Sequence, residues 1–326
     1  MTMRILVTGV TGFVGSHLAD ALLAVPGVVL HGTSRRAHWP EGWRHLGERV
    51  MLQTCDLSDP VATEALVRQA QPEQVFHLAG YANVGKSFRE PDVAWQGNLT
   101  ATRALYDAID RWGGRPRILY VGSGLVYGDA EAPDQPQDER TPLRPASPYA
   151  SSKAAADLAS YQYTRTPGLD IVRVRPFNHI GPGQSPEFAV AHFAKQIAAI
   201  EKLQEGRPNS AETPYLETGD LNPKRDLTDV RDMVRAYLLL MERGRTGEVY
   251  NAGTGEAHSM QELLDTLLAL SPLKIEIRQR AGLLRSAETN VVRADASKLR
   301  RETGWHPRFT LQHTLTDILD YWRRQT

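Results

Sequence analysis

A chain of 326 residues is long enough to bury a full hydrophobic core, as one large domain or two closely joined ones, which excludes a disordered tail or a disulfide-stapled miniprotein. Its 38 basic and 38 acidic side chains cancel, so nothing electrostatic points to nucleic acid or an anionic membrane as partner, and any bound anion must be held locally. Cys55 is the only cysteine, which rules out an internal disulfide and fits a reducing compartment, the cytoplasm by default.

The first apolar run is broken by Thr8 and Gly9 before it reaches the length of a signal peptide or membrane span, and Arg4–Thr8 reads as a strand. Further strands are predicted at Val28–Thr33, Val50–Thr54, Gln74–Leu78, Arg117–Gly122 and Asp170–Arg175. Helices alternate with them at Phe13–Ala24, Pro60–Gln71, Pro91–Trp112 and Pro148–Tyr163, most starting at proline or after Ser, Thr or Asp. Several strands are near-continuous apolar runs, as expected of a doubly wound parallel sheet covered on both faces.

Beyond Phe177 the alternation weakens, and residues 181–186 and 206–214 are rich in turn formers. Helices are predicted at Glu187–Ile200, Asp229–Arg243, Met260–Leu270 and Leu311–Arg324, with short strands at Pro214–Thr218, Glu248–Asn251 and Lys274–Ile277. The expectation is an α/β protein whose residues 1–176 bind a dinucleotide and whose residues 177–326 form a smaller α/β substrate-binding region, some segments returning to the first.

Gly9-Val10-Thr11-Gly12-Phe13-Val14-Gly15 follows the first strand and opens the first helix. Glycines there permit a tight turn and close approach of a pyrophosphate, while the helix N-terminus offers N–H donors. At the end of the second strand, where an NAD site carries an acidic residue, stand Ser34, Arg35 and Arg36. Guanidinium groups suit a 2′-phosphate, so NADPH is expected, with NADH possible; the other reading is two solvated arginines in a surface loop. Asp56, beside Leu57, can meet an adenine amine or cap the next helix.

Tyr149 and Lys153 are four residues apart on one helical face, where an ammonium is expected to pull the phenol's pKa down toward neutrality. Ser123 follows the strand ending at Gly122, at the carboxyl edge where doubly wound sheets bind ligands. Its hydroxyl can share a substrate oxygen with Tyr149.

These features, with His77-Leu78-Ala79-Gly80, Asn98-Leu99-Thr100 and Arg175-Pro176-Phe177-Asn178, resemble the extended short-chain dehydrogenase/reductase superfamily over essentially the whole chain. The resemblance implies a Rossmann fold, a nucleotide-sugar substrate and the catalytic trio Ser123, Tyr149 and Lys153. It also implies cofactor contacts from Gly9, Thr11, Gly12, Phe13, Val14, Gly15, Ser34, Arg35, Asp56, Leu57, Leu78, Ala79, Gly80, Asn98, Tyr149, Lys153 and Pro176. No metal is expected.

Within the family a 4,6-dehydratase carries Glu two residues after the catalytic Ser or Thr, and here that position is Leu125, which can neither accept nor deliver a proton. What remains is a 4-ketoreductase, a 4-epimerase with retained cofactor, or a nucleotide sensor without turnover. Phe177 to Gln184 and Arg225 to Asp232 resemble the GDP-sugar branch, which implies reduction of GDP-4-keto-6-deoxy-D-mannose to GDP-D-rhamnose. The implied substrate contacts are Ser123, Asn178, Phe188, Lys195, Arg225, Arg285 and Glu288, although Ser286 replaces the proline of many relatives. The resemblance further implies a homodimer through the Pro91–Trp112 and Pro148–Tyr163 helices; Ala154, Ala155, Ala156 and Ala159 suit that contact or a buried intrachain face.

Overall fold

The structure, a computed structural model, describes residues 2–128, 135–205, 213–280 and 291–326. Seven parallel strands form the main sheet in the order β3-β2-β1-β4-β5-β6-β10. They are β1 (Met3–Thr8), β2 (Val28–Ser34), β3 (Val50–Thr54), β4 (Gln74–His77), β5 (Arg117–Val121), β6 (Asp170–Pro176) and β10 (Val249–Ala252). The order reverses between β1 and β4, which opens a crevice at their carboxyl ends.

One face of the sheet buries Leu18 and Leu22 of α1 (Phe13–Leu23), Met233, Tyr237 and Leu240 of α8 (Val230–Arg243), and Leu299 of α10 (Ser297–Thr303). The other buries Leu66 and Val67 of α2 (Pro60–Ala70), Leu105, Tyr106 and Ile109 of α5 (Ala101–Trp112), and Ala156 of α6 (Pro148–Arg165). Because both faces are covered, β6 can be buried along almost its entire length.

Local chemistry sets the helix starts. Asp59 caps α2 by accepting from the amides of Val61 and Ala62, and Ser147 caps α6 ahead of Pro148. Asp59 thus takes the capping role considered for Asp56, whose carboxylate instead accepts from the amide and hydroxyl of Ser58.

The helix predicted over Pro91–Trp112 is broken: α4 (Pro91–Trp95) and α5 flank a π-turn at Gln96–Thr100. A short α3 (Val84–Ser87) precedes it. The helix predicted at Asp229–Arg243 is α8, capped by Asp229, and the charged stretch ahead of it, from Arg225, is a strand that was not predicted, β9 (Lys224–Asp229). Strand β9 is the hub of a small sheet with β7 (Asn178–Ile180), β11 (Ala257–Ser259) and β13 (Val291–Val292).

A separate core joins α7 (Ala189–Glu205), α9 (Met260–Ala269) and α11 (Leu311–Gln325) through Phe193, Ile197, Leu264, Leu267 and Leu315. Beside it, β8 (Tyr215–Thr218) pairs with β12 (Glu276–Gln279), two residues later than the strand predicted from Lys274. Ala154 and Ala156 are buried within the chain, which assigns them to the intrachain face.

Candidate active site at the sheet edge

The glycine loop is shaped by backbone demands. Gly9 has φ +71, and a Cβ at Gly15 would lie 2.2 Å from the Gly9 carbonyl, so α1 packs directly on the turn that leaves β1. Helix α1 begins after Gly12 with no side chain capping its amides, a ready site for a phosphate at the helix start. Thr11 and Ser34 join hydroxyls at 2.6 Å, and Ser34 also accepts from the amide of Arg36 at 3.1 Å. Arg35 and Arg36 are exposed beside them. Asp56 is held below the usual carboxylate range by the amide and hydroxyl of Ser58, with Arg35 adding to the effect.

The side chain of Phe13 faces away from the loop: its ring stacks on His179 of β7 with centroids 6.1 Å apart and planes 9° from parallel. It also meets His17 edge-on, and His17 Nε2 lies 2.9 Å from the Pro182 carbonyl.

Ser123, Tyr149 and Lys153 are brought together at the mouth of the crevice. Ser123 leaves β5, its hydroxyl accepting from the amide of Leu125 at 3.2 Å and lying close to the Tyr149 phenol. Tyr149 is the second residue of α6, and its amide donates to Ser87 Oγ at 3.2 Å. Lys153 is 6% exposed and donates to the Val121 carbonyl at 3.0 Å.

The expected acidification of the phenol by the ammonium is not the balance found in the protein alone. Burial pushes Tyr149 up from its usual value and the Ser123 hydroxyl pulls it part of the way back. Burial also brings the ammonium of Lys153 down to about 8. Loss of hydration outweighs proximity for both groups.

Gly80 lies against this group, since a Cβ there would sit 2.6 Å from Asn98 Oδ1 and 3.2 Å from Lys153 Nζ. Asn98, in the π-turn, accepts from the amide of Tyr81 and donates to Ser152 Oγ, which donates in turn to the Tyr149 carbonyl. Ser87, Tyr81 and Ser152 escaped sequence reasoning; only Ser152, inside the Tyr149–Lys153 interval, carried a positional signal. Gly124 packs on the Phe177 ring and Leu125 is half-buried, so no carboxyl group follows Ser123.

Among the remaining expected contacts, Leu57 and Pro176 are buried, and Val14, Leu78 and Ala79 are half-buried. Asn178 opens β7, paired with Leu227 of β9, and Arg225 lies on β9 at 8% exposure, donating to the Lys224 carbonyl. Phe188 is 40% exposed ahead of α7. Lys195 lies on the surface of α7, over the Trp322 ring at 5.4 Å, so its ammonium is engaged by α11. Arg285 and Glu288 fall outside the described residues.

Comparison with known proteins agrees with this architecture. The model of the family described as GDP-mannose 4,6 dehydratase matches residues 6–318. Over 323 residues the chain is 36% identical to the GDP-6-deoxy-D-mannose reductase of Pseudomonas aeruginosa, covering 99% of this chain and 98% of the relative. It is 30% identical over 335 residues to the UDP-glucose 4-epimerase of Mycolicibacterium smegmatis, covering 99% of this chain and all of the relative. Among solved structures, RMD from Pseudomonas aeruginosa complexed with NADPH matches with a TM-score of 0.82 at 35% identity, with 100% of both chains covered. A Thermotoga maritima UDP-glucose 4-epimerase with UDP-glucose matches at 0.85 and 26% identity, over 99% of each chain. With a glycine loop at the switch of a parallel sheet and a match that spans nearly every residue, the chain belongs to the GDP-mannose 4,6 dehydratase family of extended short-chain dehydrogenase/reductases.

Proposed function

We propose that the protein is an NADPH-dependent oxidoreductase that reduces the 4-keto group of a nucleotide-linked 4-keto-6-deoxy sugar, converting GDP-4-keto-6-deoxy-D-mannose to GDP-D-rhamnose. The observation that carries this reading is the Ser123–Tyr149 hydroxyl pair beside a buried ammonium, with Gly124 and Leu125 where dehydration needs a carboxyl group. The Pseudomonas aeruginosa proteins, one named a GDP-6-deoxy-D-mannose reductase and one complexed with NADPH, support both the reaction and the cofactor.

The residues present fit a dinucleotide phosphate. Gly9, Thr11, Gly12, Phe13, Val14 and Gly15 leave backbone room and amides for the diphosphate, and Ser34 with Arg35 suits the 2′-phosphate. Asp56 and Leu57 would hold the adenine, and Leu78, Ala79, Gly80, Asn98 and Pro176 would hold the nicotinamide half. When bound, the reduced nicotinamide supplies hydride to C4 of the sugar. Tyr149 donates its phenolic proton to the oxygen that becomes the 4-hydroxyl, and Ser123 hydrogen-bonds that oxygen while its charge develops. Lys153 gives the site its positive charge, holds the cofactor ribose and, once the cofactor is in place, lowers the phenol's pKa.

Residues 1–176 serve the cofactor and 177–326 the nucleotide sugar, with α8 and β10 counted with the first half. Asn178, Arg225, Arg285 and Glu288 are assigned to the nucleotide diphosphate and its ribose, with Phe188 and Lys195 at the margin. The single unpaired cysteine supports a cytoplasmic location. Exposed Trp95, Leu158 and Tyr161 on α4 and α6 support a homodimer through those helices.

Purified protein incubated with GDP-4-keto-6-deoxy-D-mannose should oxidise one NADPH per sugar reduced, with GDP-D-rhamnose identified by NMR. Tyr149→Phe should slow the reaction at least about a hundredfold. Interconversion of 4-epimers without consumption of NADPH would replace this reading with an epimerase, and a Tyr149→Phe rate equal to wild type would remove the tyrosine from the chemistry.

A further inference from the structure

His77 closes β4 and is 1% exposed, walled by the rings of Tyr106 and Tyr120. Its two ring nitrogens each face a hydroxyl: Nδ1 lies 2.8 Å from Thr8 Oγ1, and Nε2 lies 2.9 Å from Thr102 Oγ1.

The protons on this line follow from their neighbours. Thr102 has one hydroxyl proton, and it is given to the Asn98 carbonyl at 2.5 Å. Its oxygen therefore accepts, and the donor is His77 Nε2–H. Nδ1 is then the bare nitrogen of a neutral imidazole and accepts the proton of Thr8, whose oxygen accepts from the amide of Ala79 at 3.1 Å. The hydroxyls and the imidazole of the line are all paired, and Thr8, His77, Asn98, Thr102 and Ser152 are all buried. Burial and the nearby charge of Lys153 push the imidazole down to about 3, so the neutral form persists across the working range.

We propose that His77 is a positioning residue: its Nε2–H, acting through Thr102, fixes the π-turn that carries Asn98, and so sets where Tyr149 sits relative to the glycine-loop strand. The far end of the line supplies the reason. Asn98 holds the amide of Tyr81 with its carbonyl oxygen and Ser152 with its amide, and Ser152 bonds the backbone of Tyr149. A π-turn is a helix with one residue too many, and the Asn98 carbonyl in it is held by a side chain. Removing the histidine's proton donor frees Thr102 to turn, and the turn loses its register over the crevice. This inference rests on the reading of Tyr149 as the proton donor.

Nitrogen-15 NMR of histidine-labelled protein reads the tautomer without turnover, with His77 assigned by comparison with His77→Gln. The expected signal is Nε2–H with unprotonated Nδ1, unchanged through the neutral range. Thr102→Val keeps the shape and removes both bonds. It should lower kcat about tenfold to a hundredfold and speed amide exchange at Tyr81. His77→Phe should match it, the double variant should be no slower than either, and His77→Gln, which restores a donor near Nε2, should recover most of kcat.

An Nδ1–H tautomer, an imidazolium, or wild-type kcat in Thr102→Val would overturn the proposal. If Tyr149→Phe were fully active while the tautomer and Tyr81 exchange came out as expected, the tyrosine's role would fall and the hydrogen-bonded line would stand.

Discussion

Thr11 of the glycine loop and Ser34 at the end of β2 meet hydroxyl to hydroxyl at 2.6 Å, across the edge of the crevice. The Ser34 oxygen also takes the amide of Arg36, so this contact fixes the backbone from which both exposed arginines project. In the proposed cofactor site a 2′-phosphate would meet the Arg35 guanidinium there, and NADH would offer it nothing. Arg35→Ala should therefore lower kcat/KM for NADPH about tenfold to a hundredfold and leave that for NADH within about twofold. Steady-state kinetics with both cofactors checks it, and equal losses would show that the arginine does not read the phosphate.

Lys153 gives a prediction about stability against pH. Burial brings its folded-state pKa to about 8 from 10.5, so between these values the unfolded chain binds more protons than the folded one. Stability contributed by this residue therefore rises as pH climbs through that window and is lowest below it. Lys153→Met should raise stability at neutral pH by about 1–3 kcal/mol, with the gain shrinking toward alkaline pH, while slowing turnover at least about a hundredfold. Thermal melts at a series of pH values, paired with NADPH oxidation rates, test both halves.

Asp157 is fully buried between two cations, accepting from Arg173 at 2.6 Å and from Arg175 at 2.9 and 3.1 Å. Replacing it by alanine leaves two guanidinium groups in the core without their counter-charge. Asp157→Ala should cost about 3–5 kcal/mol, and urea unfolding measures it. A loss below about 1 kcal/mol would mean that the surrounding carbonyls and the Tyr127 hydroxyl suffice to hold the arginines.

Leu158 and Tyr161 of α6 are 59% and 46% exposed, and Trp95 of α4 is 38% exposed. Leu158→Glu should convert the proposed dimer to monomer in analytical ultracentrifugation with an unchanged circular dichroism spectrum. A wild-type protein that sediments as a monomer would remove that interface.

The first half of the fold was legible because its strands are apolar runs and its helices start at Asp59 and Ser147, signals that depend on neighbours in sequence alone. The π-turn at Gln96–Thr100 was not, because an inserted residue leaves the composition of a long helix intact. Strand β9 was masked by its own charges: Asp226 reads as a solvated residue, yet it is buried and accepts from the amides of Thr254, Gly255 and Ala294, partners 28 to 68 positions away. The trio at Ser123, Tyr149 and Lys153 could be found by spacing and order. Its electrostatics could not, because the raised phenol and the lowered ammonium both follow from desolvation, which only the packed structure sets.

The stack of Phe13 on His179, with His17 against the Pro182 carbonyl, ties the start of α1 to the strand that carries Asn178. In the proposed function these elements serve the cofactor and the nucleotide sugar, and the two walls are thereby mounted on a single bracket, assembled during folding. Neither ligand has to spend affinity on bringing them together, so each should bind readily without the other, in either order.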